Sequence, residues 1–322
     1  MDRRMSLHDV EAAAERIRGR VRETPVKPSP GLSARAGGPV WLKCEHRQET
    51  GAFKLRGAAH AVARLGAVAG VTTASTGNHG RALAFAARQR GVPAVICLSR
   101  LVPGNKREAI AGLGAEARVT GASQDEAFEE ARRLERDEGF ALIPPFDHAD
   151  VIAGQGTLGL EILAQLPDAA TIAVPLSGGG LLSGVALAAK ALRPGIRIVG
   201  ISMARGAAMA ASLAAGHPVE VAELETLADS LGGGVGRDNR LTFAMCRDLV
   251  DEVILLSEAE IAAGLRHLAR EDGEIVEGAA AVGAGAILGG KLRADRGPLV
   301  LILSGGNIDP ALHARIMREQ DA

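Results

Sequence analysis

Apolar runs that end in glycine-bearing turns constrain this chain more than any other feature. Residues 70–74 run into Ser75-Thr76-Gly77-Asn78-His79-Gly80, with a helical pattern over 81–90. Residues 171–175 run into Ser177-Gly178-Gly179-Gly180-Leu181, with a helical pattern over 182–191. A last buried run, 298–303, enters Ser304-Gly305-Gly306-Asn307. Strand, turn and helix in repeated succession predict an α/β fold with mainly parallel sheet. In such folds ligands sit beyond the carboxyl ends of the strands, where these turns lie.

The rest of the chain continues the pattern. Strands are expected at 40–44, 92–98, 117–120, 141–143, 196–201 and 252–256. Helices are expected at 6–20, 58–65, 105–113, 123–138, 204–215, 242–249, 257–271 and 279–292. Another should follow Gly154-Gln155-Gly156-Thr157 and end near residue 166. Ser6 stands three residues before Asp9, a capping-box spacing with Asp in place of Glu or Gln. Thr24-Pro25 and Pro28-Ser29-Pro30 read as breaks, and 227–240 as a glycine-rich loop.

Composition narrows the class of protein. At 322 residues and 47% hydrophobic, the chain can bury a substantial core, as one large domain or two unequal ones. Its 41 glycines cluster without a fixed period, which excludes a fibrous or solenoid chain. A net charge of -1 without a long basic run leaves no footprint for nucleic acid or an anionic membrane. Cys44, Cys97 and Cys246 form no metal or disulfide spacing, and no apolar stretch reaches the length of a membrane span. The N-terminus carries an amphipathic pattern, not a signal core, so a cytoplasmic location is expected.

Chemistry centres on Lys54, in Glu49-Thr50-Gly51-Ala52-Phe53-Lys54-Leu55-Arg56-Gly57. A lysine held in a cleft is either paired or chemically committed, and forming a Schiff base with a carbonyl is one such commitment. A solvated lysine at a helix start is the plain alternative. Ser177, Gly178, Gly179 and Gly180 stand where free N–H groups and a helix N-terminus can wrap a phosphate, or where a tight turn is needed. Neither a Walker lysine nor GxGxxG spacing accompanies them. Ser75, Thr76, Gly77, Asn78 and His79 offer hydroxyls, an amide and N–H groups suited to a carboxylate or ring oxygen; His79 reads equally as a packed residue, and Asn78 as a turn residue. Ser304 is either a helix cap or a neutral hydrogen-bonding partner for a pyridine nitrogen. No metal-ligand spacing and no GxSxG elbow occur.

Taken in order, Ala52-Phe53-Lys54-Leu55-Arg56-Gly57, the turn Ser75–Gly80, Val151-Ile152-Ala153-Gly154-Gln155-Gly156-Thr157, Ser177 to Leu181 and Ser304 to Asn307 resemble the threonine/serine dehydratase and serine racemase family of pyridoxal-phosphate enzymes, from about residue 6 to 310. The resemblance implies the tryptophan-synthase-β-like fold type II: two open, twisted, mainly parallel sheets flanked by helices. It implies a large cofactor-binding domain of residues 1–44 and 146–322 and a small domain of 45–145. Lys54 would link to pyridoxal 5'-phosphate and take the substrate's α-proton. Phe53 would pack beside the cofactor, Asn78 would bond its ring oxygen, Ser177, Gly178, Gly179 and Gly180 would hold its phosphate, and Ser304 would meet its pyridine nitrogen. Ser75, Thr76, Gly77 and His79 would receive the substrate carboxylate. The cofactor phosphate would assist loss of the β-hydroxyl.

Departures from the family pattern refine that expectation. Thr76 replaces the serine that serves serine racemases as second acid/base, which favours elimination over racemisation. Ser202, Gly206 and Ala208 replace the acidic residues of a divalent-cation site, so no metal is carried over. Ser230 replaces a glycine near the ring, and Arg205 and Arg237 stand in regions expected to face substrate, which suggests a substrate other than L-threonine. The combination resembles the dehydratase of ectoine and hydroxyectoine utilisation; threonine dehydratase, β-hydroxyaspartate dehydratase, serine racemase, β-replacement enzyme and an idle ligand-binding protein of this fold are the alternatives. A small-molecule partner and a homodimer are expected.

Overall fold

The computed structural model describes residues 5–75, 77–102 and 104–318, with the main chain alone at Asn105. Its larger sheet contains β1 (Val26–Pro28), β2 (Val40–Lys43), β7 (Thr171–Pro175), β8 (Arg197–Met203), β9 (Glu252–Leu256) and β10 (Leu299–Ile302), in the order β1-β2-β10-β7-β8-β9. Only the β1–β2 pairing is antiparallel. The smaller sheet contains β3 (Gly70–Ala74), β4 (Ala94–Leu98), β5 (Glu116–Val119) and β6 (Phe140–Leu142), all parallel, in the order β5-β4-β3-β6. This is the α/β architecture of two mainly parallel sheets with helices that the motifs imply.

Central parallel strands are covered on both faces, so they read as unbroken apolar runs. β10 shows how the period of two divides them. Leu299 and Leu301 enter one core cluster with Leu42, Val199 and Leu256, while Val300 and Ile302 enter the other with Ile172, Val174 and Ile198. In the smaller sheet Val71 and Ile96 face one core and Val95 and Cys97 another. Burying each such side chain stabilises the fold by about 1.5–3 kcal/mol, the Ala residues less.

Several boundaries differ from the sequence reading, each for a tertiary reason. The helix expected from residue 58 begins at Lys54; Phe53 offers no capping side chain, and its N–H goes instead to the Ser304 carbonyl at 3.0 Å. The helix expected from 81 begins at Asn78. Gly154-Gln155-Gly156-Thr157 lies inside the helix Ala149–Gln165, not ahead of it. Those glycines admit neighbouring backbone: a Cβ on Gly154 would sit 2.6 Å from the Arg56 carbonyl oxygen, and one on Gly156 2.9 Å from that of Gly184. β1 escapes the pattern because it is three residues long and ends in proline, tolerated on an edge strand. Ser29-Pro30, read as a break, is a helix start: Ser29 caps Pro30–Ala36, with proline in the first turn. At the N-terminus the expected pairing is present, Ser6 N–H donating to the Asp9 carboxylate at 2.8 Å.

Candidate active site

Lys54 is positioned by a zipper between two turns far apart in sequence. Ala52 and Gly305 form an antiparallel bridge, the Phe53 N–H donates to the Ser304 carbonyl, and the Gly306 N–H donates to the Gly51 carbonyl at 2.9 Å. Asn307 closes the join by donating to the Thr50 carbonyl at 2.9 Å. Gly51 has φ +77, and a Cβ there would lie 2.6 Å from the Asn307 side-chain oxygen. That position therefore needs glycine for both conformation and space. Phe53 packs against the core cluster that includes Leu176 and Leu181, beside the Ser177 turn.

The Lys54 Nζ donates to the Pro145 carbonyl at 2.7 Å. Burial pushes its pKa down to about 8, against the opposing pull of Glu277. A buried amine that deprotonates near physiological pH is a nucleophile and a base, where an exposed lysine is neither. Glu277 is itself pushed up to about 6 by burial, although the Asn78 amide donates to its two oxygens at 2.8 and 3.1 Å. Asn307 in turn donates to the Asn78 side-chain oxygen at 2.7 Å. Asn78 is thus held from both ends, and Ser304 lies buried within the same turn as Asn307.

The Ser177 turn joins β7 to the helix Gly180–Leu192, with Gly179 at the cap and φ +86. A Cβ on Gly178 would lie 2.4 Å from the Phe146 ring, and one on Gly179 2.8 Å from the Cys246 sulfur. One on Gly180 would lie 3.0 Å from the Phe146 backbone and side chain. Gly178 and Gly180 let the chain pass tightly under Phe146, and Gly179 lets it pass Cys246, at the start of a helix whose unpaired N–H groups suit an anion. Pro145 and Phe146 are fixed in turn by Asp147, whose carboxylate accepts the N–H groups of Arg240, Leu241 and Thr242 at 2.7–2.9 Å. One short segment therefore touches both Lys54 and the glycine turn. These features fit pyridoxal phosphate: an amine whose pKa burial lowers, a tight glycine turn at a helix N-terminus and an ordered amide between two turns.

The Ser75–Gly80 turn is placed at the carboxyl end of β3, with Gly77 capping the helix Asn78–Arg90. Thr76 lies outside the described residues. The His79 ring is packed, the plain reading that the sequence leaves open for it. Its Nε2 is engaged by the Ile143 carbonyl at 2.8 Å, and burial, assisted by Lys54, pushes its pKa down to about 3. A neutral ring donating through Nε2 has only an acceptor left at Nδ1, so the ring has no donor to offer a carboxylate. Arg205 and Arg237 do not reach this site either. Arg237 pairs with Glu220 at the surface, and Arg205 lines a separate open groove with Glu223 and Arg315. Ser230 does line the cavity beside Asn78.

Pro145, Phe146, Glu277 and Asn307 were not singled out by chemistry in the sequence. Pro144-Pro145-Phe146-Asp147 is in the sequence only a stretch that follows a strand, and Glu277 one acid among 38. Asn307 alone carried a signal, as the last residue of the final turn. Beneath that turn Glu274 ties Lys27, Arg47 and His46 together at 2.6–2.7 Å.

Two mainly parallel sheets flanked by helices, with a buried lysine where two glycine-bearing turns meet, define an α/β type of enzyme. Residues 17–305 match the family described as "Pyridoxal-phosphate dependent enzyme". The chain belongs to that family, and pyridoxal phosphate is its cofactor. It is 53% identical to a "Putative threonine dehydratase" of Sinorhizobium fredii, over 97% of this chain and 95% of that one. It is 41% identical to an L-threonine ammonia-lyase of Geobacter sulfurreducens, over 93% of this chain and 75% of the relative. Among solved structures, maize serine racemase superposes with a TM-score of 0.92 at 36% identity, covering 98% of this chain and 97% of the other.

Proposed function

We propose that this protein is a dehydratase and ammonia-lyase of a β-hydroxy-α-amino acid. The observation that carries the reading is Lys54, held by the Pro145 carbonyl with a pKa lowered to about 8, between the Ser304 turn and the glycine turn. Threonine dehydratase and threonine ammonia-lyase relatives support it. When bound, the cofactor supplies an aldehyde for amines to join and a ring that spreads negative charge from the α-carbon. Lys54 would hold it covalently, then take the α-proton once the substrate amine has replaced it. Phe53, Asn78 and Ser304 would hold the ring, and Ser177, Gly178, Gly179 and Gly180 the phosphate. Ser75, Gly77, Thr76 and the His79 backbone would orient the substrate carboxylate. The substrate loses its β-hydroxyl as water, the released enamine regains water, and one hydroxy-amino acid gives one 2-oxo acid and one ammonia.

Ser304 sets the kind of chemistry, since a neutral hydroxyl does not force a proton onto the pyridine nitrogen. Glu277 shares Asn78 and lies close enough to oppose the lowering of the Lys54 pKa, so it would restrain excess positive charge around the ring. We take the substrate to be other than simple threonine because Ser230 enters the cavity beside Asn78. A hydroxy-amino acid of ectoine or hydroxyectoine breakdown is the finer reading that the sequence resemblance favours. We take the protein to act as a homodimer on the same ground, and in the cytoplasm because its three cysteines are buried and unpaired; among the described residues no helix is long and apolar enough to cross a membrane.

The test is to purify the cofactor-loaded protein and screen β-hydroxy-α-amino acids for 2-oxo acid and ammonia in equal amounts. Equal release from at least one member supports the reading. No release from any, with the cofactor bound, defeats it. The likeness to maize serine racemase favours racemisation as a second reading. Chiral analysis of residual substrate decides between them, inversion without oxo-acid formation favouring the racemase.

A further inference from the structure

A cavity of about 390 Å³ opens beside Asn78, lined on one side by Gly77, Asn78 and Arg81 and on the other by Ser230, Glu277 and Asn307. Asn78 and Arg81 are three residues apart on one helix and therefore share a face. Three carboxylates also line the space, but each is already engaged. Glu277 accepts from Asn78, Asp229 from the Ser230 N–H at 2.8 Å, and Asp309 from the N–H groups of Ala311 and Leu312 at 2.8 and 2.9 Å. Arg81 is different. Its Nε is buried and meets no acceptor among the described residues. A buried N–H donor without an acceptor is a cost that a bound group can relieve, and the rest of the half-buried Arg81 side chain remains open to such a group. Lys106 lines the same cavity and adds a second positive charge.

We propose that Arg81 is a specificity residue that receives a second oxygen acceptor, a carboxylate or an amide carbonyl, on the substrate's side chain. This rests on the dehydratase reading and deepens it. The α-carboxylate is expected at the Ser75–Gly77 turn, at the start of the helix; an acceptor at Arg81 lies one turn further along and must come from the other end of the substrate. The guanidinium fork gives such a group paired, charge-assisted hydrogen bonds that a threonine methyl cannot make. The preferred substrates are then hydroxy-amino acids whose β-carbon carries a carboxylate, an amide or a longer acyl-bearing arm.

The experiment compares kcat/KM for L-threonine, L-threo-3-hydroxyaspartate and L-threo-3-hydroxyasparagine in the wild-type holoenzyme, R81Q and R81K. The wild type is expected to favour at least one acceptor-bearing substrate over threonine by about 30-fold, the range of a charge-assisted hydrogen bond. That ratio should collapse in R81Q and be partly kept in R81K. Preference for hydroxyaspartate alone assigns a carboxylate; equal use of hydroxyasparagine assigns a neutral carbonyl; both support the proposal. A wild type that prefers threonine, or an unchanged ratio in R81Q, overturns it. Binding of unreactive L-aspartate, L-asparagine and L-2-aminobutyrate, read from the cofactor absorbance of the wild type, separates this from the reaction class. Tighter binding of either acceptor-bearing analogue without turnover of any hydroxy-amino acid keeps Arg81's role and removes the dehydratase; tighter L-2-aminobutyrate binding removes Arg81's role.

Discussion

The amine of Lys54 and the carbonyl oxygen of Pro145 lie 2.7 Å apart, joined by a hydrogen bond across 91 residues of sequence. The bond holds the amine in a buried setting without giving it a countercharge. A carboxylate in that place would have kept the lysine protonated; a carbonyl leaves burial as the larger influence, and the pKa falls to about 8.

That value sets the pH dependence of cofactor loading. Only the neutral amine attacks an aldehyde, and its fraction rises as pH climbs through the pKa. The rate of covalent pyridoxal-phosphate uptake by the cofactor-free protein should rise to a plateau with a midpoint near pH 8. Stopped-flow absorbance checks this, with the free cofactor's own titration subtracted. A rate still rising steeply between pH 9 and 10.5 would show an ordinary lysine.

Gly178 tests the anion cradle, because a Cβ there would overlap the Phe146 ring. Gly178→Ala should shift Phe146 and the turn together, costing about 1–3 kcal/mol of packing energy. Cofactor affinity, measured by equilibrium dialysis, should fall at least tenfold. Unchanged affinity would mean that the turn does not hold the phosphate.

Asp147 offers a milder perturbation of the same segment. Asp147→Ala removes the acceptor for three backbone N–H groups at the start of the helix Thr242–Leu249. The expected loss is about 1–3 kcal/mol of stability, read from urea unfolding, together with a Lys54 loading midpoint moved upward as the Pro145 segment loosens and water enters.

Two residues beyond Lys54, the guanidinium of Arg56 is fully buried and bonded to Glu45 and Glu161 at 2.6–2.8 Å. Lys43, also fully buried, meets Glu161 and the Thr24 carbonyl at 2.8 and 2.6 Å. Removing one member strands its partner, so Arg56→Met should destabilise the protein by about 3–5 kcal/mol. Arg56→Met with Glu45→Gln should recover part of that loss. A single-variant change within experimental error of zero would contradict a coupled buried network.

The sequence displayed the strand ends clearly, because β3, β7 and β10 are short uncharged runs and each stops at a run of serine and glycine. Asn78, Ser304 and the glycine turn stand out at those strand ends, and Lys54 through the motif Ala52-Phe53-Lys54-Leu55-Arg56-Gly57 around it. Residues whose role is set by distant partners were hidden. Glu277 has its pKa raised by burial and by Asp229, against the Asn78 hydrogen bond, and Pro145 gains its role only from the approach of Lys54. Helix starts at Lys54 and Asn78 were equally hidden, since neither Phe53 nor Gly77 supplies a capping side chain. The two readings of His79 stayed open in the sequence because the Ile143 carbonyl that engages its ring lies 64 residues away.

Borohydride reduction of the cofactor-loaded protein, followed by digestion and mass mapping of the peptides, tests the central claim most directly. The pyridoxyl mass should be found on the peptide containing Lys54, and Lys54→Ala should lose both that label and at least about 100-fold in turnover, the lower range for a missing acid/base group. Label on another lysine, or none on a protein that releases 2-oxo acid at full rate, would contradict the account.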